Sequence, residues 1–263
     1  MKKSQRRKLR LEEPADRLIA VATEQGFPLW RAWGTIYRGW VKVKNGDVAE
    51  GISLLRSGST AYRATGAEAW MTHNIAVLAE ACEIAGQVEE AVTLLDEALQ
   101  IAGRTGERWR EAELNRHKGQ LLLRQEQSEA AEELYYRALS ISREQGAKLW
   151  ELRATVSLAR LRRDQGRCTE ARDLLAPVYG WFTEGFDTPD LKEAKALLDD
   201  LTPEFNSSMP ISTAARASGS GGGRDRRSWL REDPLGFLAA DAPVLASLRH
   251  GATCAEAENI NKP

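Results

Sequence analysis

The sequence predicts an all-α protein built as a solenoid of antiparallel helix pairs, and three observations favour that class. Glycine and tryptophan markers recur at intervals of 40 residues along most of the chain. Between the markers, apolar residues follow helical spacing, as in Leu78, Ala79 and Cys82. No run alternates apolar and polar residues with the β-branched enrichment typical of strands. Helix pairs that repeat in this way bury their apolar faces against their neighbours.

A glycine followed by a tryptophan marks the start of each 40-residue unit. The pairs are Gly26 with Trp30, Gly66 with Trp70, Gly106 with Trp109, and Gly146 with Trp150. Glycine tolerates the left-handed conformation just past a helix end, so each glycine is predicted to separate two helices. The tryptophans keep a nearly fixed phase, which predicts that they pack between units.

A second turn divides each unit into two helices. Three units carry a glycine at this turn: Gly46, Gly86 and Gly166. Glu126 occupies the corresponding position of the third unit. A small residue follows each turn position by five: Gly51, Ala91, Ala131 and Ala171. Asp47 and Glu50 predict a capping box at the start of a second helix.

Both helices of a unit have positions at which residues of one size recur. Small residues recur on the first helix at Gly39, Ala79, Gly119 and Ala159, and on the second at Gly58, Ala98, Ala138 and Val178. Large residues recur on the second helix at Leu55, Leu95, Tyr135 and Leu175. We expect the large side chains to pack where small ones let two helices approach closely.

The composition favours a packed helical protein without a bias toward polyanions. Lys and Arg number 37 against 38 Asp and Glu, and 42% of the residues are apolar. The three cysteines, Cys82, Cys168 and Cys254, lack zinc or redox spacing and indicate a reducing compartment. The basic N-terminus continues into LEEPADR, and no apolar stretch is long enough to span a bilayer. We expect a cytoplasmic protein with no membrane partner.

The order of small, glycine and acidic positions resembles the tetratricopeptide repeat, for example LAEACEIAGQVEEAVTLLDEAL at 78–99. The period of 40 residues exceeds the usual value of about 34. Residues 14–202 further resemble the C-terminal solenoid of bacterial signalling proteins that join a nucleotide cyclase, a P-loop ATPase module and tetratricopeptide repeats, most clearly at 170–201. The resemblance implies a right-handed superhelix of about four units, with a leading and a closing helix.

Changes in composition predict three regions. Residues 1–11 are expected to form a disordered basic arm, and residues 12–202 the solenoid. After Leu201 the sequence becomes rich in Gly, Ser and Pro, so 203–263 is expected to be a mostly disordered tail. The alternative for part of the tail is a docking motif that folds on binding, because an apolar patch lies between Leu235 and Leu248.

The sequence predicts no catalytic, metal or cofactor site. The glycines at 180 and 185 are followed by Phe186 and Asp187, where a P-loop needs Lys and Ser or Thr. None of the three histidines has a partner at metal-ligand spacing: His73, His117 and His250. We therefore expect neither enzyme activity nor a cofactor.

The first helices of the units are predicted to line a concave groove, where such solenoids bind peptides or partner helices. The tetratricopeptide register places eight side chains there: Trp40, His73, Glu80, Arg116, Gln120, Arg153, Arg160 and Arg163. The four arginines lie in the later units, which favours an acidic ligand segment at that end. Pairing of these arginines with nearby glutamates is the alternative.

These patterns predict a protein-interaction scaffold or adaptor that acts in bacterial signalling or transcriptional regulation. The alternative is a non-catalytic regulatory or sensor fragment of an adenylate or guanylate cyclase, or of a P-loop ATPase regulator, without its catalytic domains. The expected partner is a protein or peptide. Nucleic acid is not expected, although six basic residues among the first ten would be its point of contact.

Overall fold

The computed structural model describes residues 2–202, with side chains from residue 13 onwards. This range contains ten α-helices and no strand. They are α1 (Lys2–Glu24), α2 (Pro28–Asn45), α3 (Val48–Ala64), α4 (Met71–Ile84), α5 (Val88–Thr105), α6 (Glu111–Arg124), α7 (Ser128–Glu144), α8 (Lys148–Asp164), α9 (Cys168–Gly180) and α10 (Pro189–Asp200). The tail expected at 203–263, with Cys254 and His250, lies outside the described residues.

The helices stack in chain order as four pairs: α2 with α3, α4 with α5, α6 with α7, and α8 with α9. Each pair packs against the next, and first helices of neighbouring pairs also contact each other, as α6 does with α8. Helix α1 precedes the first pair, and α10 closes the stack against α8 and α9. The predicted all-α solenoid is confirmed. No helix within 2–202 is long and apolar enough to cross a membrane.

The N-terminal helix is longer than the sequence suggested. Helix α1 starts at Lys2 and therefore includes residues 2–11, where a disordered arm was expected. Lys, Arg, Leu and Gln, which are good helix formers, make up most of that stretch. Pro14 lies inside the helix and removes one backbone hydrogen bond from it, without ending it.

The predicted pattern of recurring small and large residues fits the packing inside the pairs. A Cβ atom at Gly39 would lie 2.8 Å from the backbone nitrogen of Leu55, and one at Gly119 would lie 2.7 Å from Cε1 of Tyr135. The large second-helix residues are almost completely buried: Leu55, Leu95, Tyr135 and Leu175. Small residues on the first helix therefore let the second helix approach closely enough to bury its large side chains.

The turn inside the first pair ends α2 as predicted but starts α3 differently. Gly46 has a φ of 99° and donates its N–H to the carbonyl of Val43, as in a left-handed C-terminal cap. The expected capping box is wrong, because Asp47 makes no side-chain hydrogen bond to the start of α3. Lys42 attracts both carboxylates instead, with Nζ 3.9 Å from Asp47 and 3.2 Å from Glu50.

Two of the first helices begin late in their units. Helices α4 and α6 have 14 residues each, whereas α2 has 18 and α8 has 17. The connections before α4 and α6 are correspondingly longer, at 65–70 and 106–110. Trp70 ends the first of them with a φ of 64°, which is strained for a residue other than glycine. This strain coincides with a cluster of rings described below.

Candidate partner-binding face

Helices α2, α4, α6, α8 and α10 share one side of the solenoid, which we name the first-helix face. Polar side chains on this face connect one unit to the next. Nζ of Lys44 on α2 lies 3.2 Å from Oε1 of Glu80 on α4. Nε2 of His117 on α6 lies 2.5 Å from Oε2 of Glu83 on α4. The face is therefore lined by charged groups that already pair across units.

Glu113 of α6 lies among arginines at the middle of this face. Arg116 donates two hydrogen bonds to it, from Nε at 2.8 Å and from Nη2 at 2.6 Å. Nη1 of Arg153 on α8 lies 3.6 Å from Oε1 of the same carboxylate. Burial alone would raise the pKa of Glu113, but Arg116, Arg153 and Arg110 lower it to about 2. Glu113 is therefore ionised at neutral pH and holds Arg116 in place.

The arginines of α8 pair with the carboxylates of α10. Arg153 donates to Asp190 from Nε at 2.5 Å and from Nη2 at 3.1 Å. Arg160 forms an ion pair with Glu193. These contacts join α10, the closing helix, to α8, the first helix of the last pair.

The third contact of this row joins Arg163 to Asp200, with Nη1 2.9 Å from Oδ2. Arg163 also donates to Asp164, one residue further along α8. We name Arg153, Arg160 and Arg163 the arginine row. The expected alternative, in which these arginines pair with carboxylates of the chain, is what the structure contains.

The structure places the eight predicted groove residues at different depths. Three are buried: Trp40, His73 and Arg116. Five are half-buried: Glu80, Gln120, Arg153, Arg160 and Arg163. Lys44 covers the ring of Trp40, with Nζ 4.3 Å from the ring centroid. The half-buried members remain accessible to a ligand, while the buried ones support the helices beneath them.

A cluster of rings joins the first three units, and we name Trp33, Trp70, His73 and Trp109 the aromatic joint. His73 is stacked between Trp33, at a centroid distance of 6.3 Å, and Trp109, at 6.1 Å. Trp70 lies edge-on to its neighbours, 5.9 Å from Trp33 and 5.2 Å from Trp109. For Trp70 this confirms the predicted packing between units.

His73 is neutral inside the aromatic joint. Arg110 donates from Nη1 to Nδ1 of His73 over 2.8 Å, so Nδ1 acts as the acceptor. Burial and the positive charge of Arg110 both lower the pKa of His73 well below its usual range. A protonated His73 would face the guanidinium at contact distance, so the joint is stable only with a neutral imidazole.

Glu107 fixes the strained backbone of Trp70. Its Oε1 accepts the Trp70 backbone N–H at 2.8 Å and the Trp109 indole N–H at 3.1 Å. Tyr62 donates its hydroxyl to the carbonyl of Ala69 at 2.7 Å in the same connection. Burial, and secondarily Glu107, raise the pKa of Tyr62. One carboxylate of the third unit thus holds the start of α4 in the second unit.

Several residues that organise these clusters were not predicted from the sequence. Glu113 lies three positions before Arg116, which is the spacing of an ion pair on one helix. Trp109 follows its glycine by three positions, where the other three tryptophans follow theirs by four, and it lies in the connection before α6. Trp33, Glu107 and Arg110 carried no repeating signal. Among residues 13–202, no three His, Cys, Asp or Glu side chains are grouped to hold a metal ion.

Comparisons with known proteins agree with this architecture. Residues 67–144 and 110–179 match the family model of the tetratricopeptide repeat. BtubC (BKLC) from P. vanneervenii has a solved structure that is 16% identical, with a TM-score of 0.60, and the match covers 82% of this chain and 98% of that chain. No curated protein matches the chain.

A second similar structure contains TPR-like repeats of a kinesin light chain-like protein from Podosopora anserina. It is 22% identical, with a TM-score of 0.53, and the match covers 65% of this chain and 84% of that chain. The fold and the matches together define a tetratricopeptide-like solenoid. Solenoids of this class generally act as scaffolds that bind protein partners along a continuous face.

Proposed function

We propose that this protein is a non-catalytic interaction module that binds a peptide or a partner domain on its first-helix face. The supporting observation is the row of half-buried polar side chains that follows the first helices from Glu80 to Arg163. In a stacked solenoid such a row is continuous and presents a long surface to an extended segment. The proposed setting is the cytoplasm, in bacterial signalling or transcriptional regulation.

The proposed ligand carries an acidic segment that contacts the arginine row. Arg153, Arg160 and Arg163 lie on α8 within about three turns of each other. Guanidinium groups bind carboxylates with two parallel hydrogen bonds, as Arg153 does with Asp190. The row therefore has a geometry suited to carboxylates.

Titration calorimetry of the full chain with acidic and basic peptide pools tests the proposal. We expect the acidic pool to bind more tightly than the basic pool. The variant with Arg160→Glu and Arg163→Glu should lose about tenfold or more in affinity, because two positive charges on the face become negative. Arg116 and Arg153 are left unchanged because both contact the buried Glu113, and their loss would disturb the fold.

The matched control changes Arg56→Glu and Arg63→Glu on α3. These arginines also pair across units, with Glu90 and Glu97, but they belong to a second helix. The control carries the same change in net charge and, like the variant of the arginine row, removes two ion pairs that join different helices. Tighter binding of the basic pool, or an equal loss of affinity in both variants, would contradict the proposed site.

The alternative role is that of a regulatory or sensor part of a cyclase or P-loop ATPase regulator. The feature that favours it is the resemblance of residues 170–201, which form α9, its connection and α10. Purified full chain should then change the turnover of such a cyclase or ATPase when mixed with it. Binding without any change in turnover favours the adaptor role.

A further inference from the structure

The closing helix places three carboxylates on the arginine row. Asp190, Glu193 and Asp200 project from α10 toward α8, and each pairs with one arginine of the row. Three negative charges thus face three positive charges. The surface that an acidic ligand would recognise is already covered by an acidic helix of the same chain.

We infer that α10 is a built-in occupant of the arginine row and limits the binding of an acidic partner segment. The inference rests on the proposed function, because it concerns the same surface. An acidic segment gains little electrostatic attraction while the carboxylates of α10 neutralise the row. Strong binding requires those carboxylates to be displaced or neutralised.

The position of α10 at the end of the described helices suits it to displacement from α8 by a ligand segment. It has 12 residues, and only Leu191, Ala194 and Leu197 of the helix are buried. The first helix it covers, α8, has ten buried residues between Glu151 and Arg162. A helix of this length is marginal in isolation and depends on its packing. As the last described helix, α10 packs only against α8 and α9.

The connection between α9 and α10 also permits movement of α10. It spans 181–188 and contains no helical turn. Six of its eight residues are exposed, including Trp181 at 57% and Phe186 at 46%, while Phe182 packs against the core that α8, α9 and α10 share. Terminal elements with few buried side chains open at lower free energy than the centre of a protein.

Other carboxylates limit how much positive charge an opened row would present. Arg153 also lies 3.6 Å from Glu113, and Arg163 also pairs with Asp164. Glu193 is the carboxylate of α10 that pairs with Arg160. Neutralising Glu193 alone should produce a measurable part of the full effect.

Fluorescence anisotropy with a labelled oligoglutamate peptide tests the inference on the full chain. The variant Asp190→Asn, Glu193→Gln and Asp200→Asn should bind about tenfold more tightly than the parent protein, because the row is uncovered. The gain should shrink at high salt, which screens exposed charges. The single variant Glu193→Gln should fall between the two, and it serves if the triple variant loses helicity.

The matched control is Glu129→Gln, Glu133→Gln and Asp173→Asn. These three residues are exposed on α7 and α9, and their neutralisation removes three negative charges, as many as the α10 variant loses. The control should bind the peptide within about twofold of the parent protein. Adding Arg160→Gln to the α10 variant should remove part of its gain, because one positive charge of the uncovered row is lost.

Two outcomes would overturn the inference, and they affect the proposed function differently. If the parent protein binds oligoglutamate as tightly as the α10 variant, α10 is not an occupant, while the acidic-ligand surface stands. If neither protein binds oligoglutamate, both the inference and the acidic-ligand proposal fail. A gain that is equal in the α10 variant and the control would show a general charge effect and would also overturn the inference.

Discussion

Glu113 illustrates how single charged residues support the first-helix face. Its carboxylate is the counter-charge of Arg116, and both side chains are buried. Glu113→Gln should lower the free energy of unfolding by about 3 kcal/mol at neutral pH, because a buried guanidinium loses its partner. Urea denaturation measures the loss. Glu133→Gln, at an exposed position of α7, should change stability by less than about 0.5 kcal/mol.

The same residue predicts a pH dependence of stability. The pKa of Glu113 is about 2 in the folded protein, against an ordinary value of 4.5. Its contribution to stability is therefore complete above pH 4.5 and is lost as the pH falls toward 2. The stability difference between the parent protein and Glu113→Gln should be smaller near pH 3 than near pH 5. An unchanged difference would contradict the assigned ion pair.

Sequence patterns predicted that the eight groove residues lie on first helices, but not how deeply each of them is buried. The tetratricopeptide register placed Arg153, Arg160 and Arg163 on the first helices, where they lie half-buried. It could not distinguish them from Arg116, because periodicity reports which side of a helix a residue occupies and not how close the next helix lies. The carboxylates that cover the row come from α10, whose distance from α8 is set by tertiary packing.

Glu126 lies two residues after the end of α6, at the turn position where the other units have glycine. Glu126 has a φ of 64° there, and a side chain in this conformation is strained. Glu126→Gly should raise the free energy of unfolding by about 1 kcal/mol. The reciprocal change, Gly86→Glu, should lower it by a similar amount, because Gly86 has a φ of 79°. Urea denaturation of both variants tests this, and a loss of stability in Glu126→Gly would contradict it.

The aromatic joint should contribute to stability at the level of helix packing. Trp70→Ala removes a ring that contacts Trp33, His73 and Trp109, and should cost about 3 kcal/mol. Trp181→Ala removes a ring that is 57% exposed, and should cost less than about 1 kcal/mol. Thermal unfolding compares the two variants. Similar melting temperatures would show that the joint does not hold the first three units together.

The number and order of the helices could be predicted from the glycine markers, whereas some helix ends could not. The 40-residue period continues through the second and third units, although α4 and α6 start late. Glu107 accepts the N–H of Trp70 from the following unit, so the start of α4 depends on a residue 37 positions away. Local propensity contains no information about such a contact, which explains why the connections were not foreseen.

Across the whole molecule, polar contacts reach from one unit to its neighbour. Arg56 donates to Glu90, which is 34 positions away, and Arg108 donates to Glu144, which is 36 positions away. These separations are close to one repeat, so the contacts stabilise adjacent units. Stability in such a stack is the sum of unit and neighbour terms, and within residues 2–202 the first and last helices have neighbours on one side only. Opening should therefore begin at the ends.

Hydrogen exchange measured by mass spectrometry should show this gradient. Amides of α5, α6 and α7 should exchange most slowly, and those of α10 faster, because α10 packs only against α8 and α9 among the helices of residues 2–202. Leu197→Ala, which removes a buried side chain of α10, should increase exchange in α9 and α10 and leave α2 to α4 unchanged. Leu95→Ala, in α5, should increase exchange on both sides of the second unit. If Leu197→Ala increases exchange equally in every helix, the solenoid unfolds as one cooperative unit, and α10 cannot open by itself.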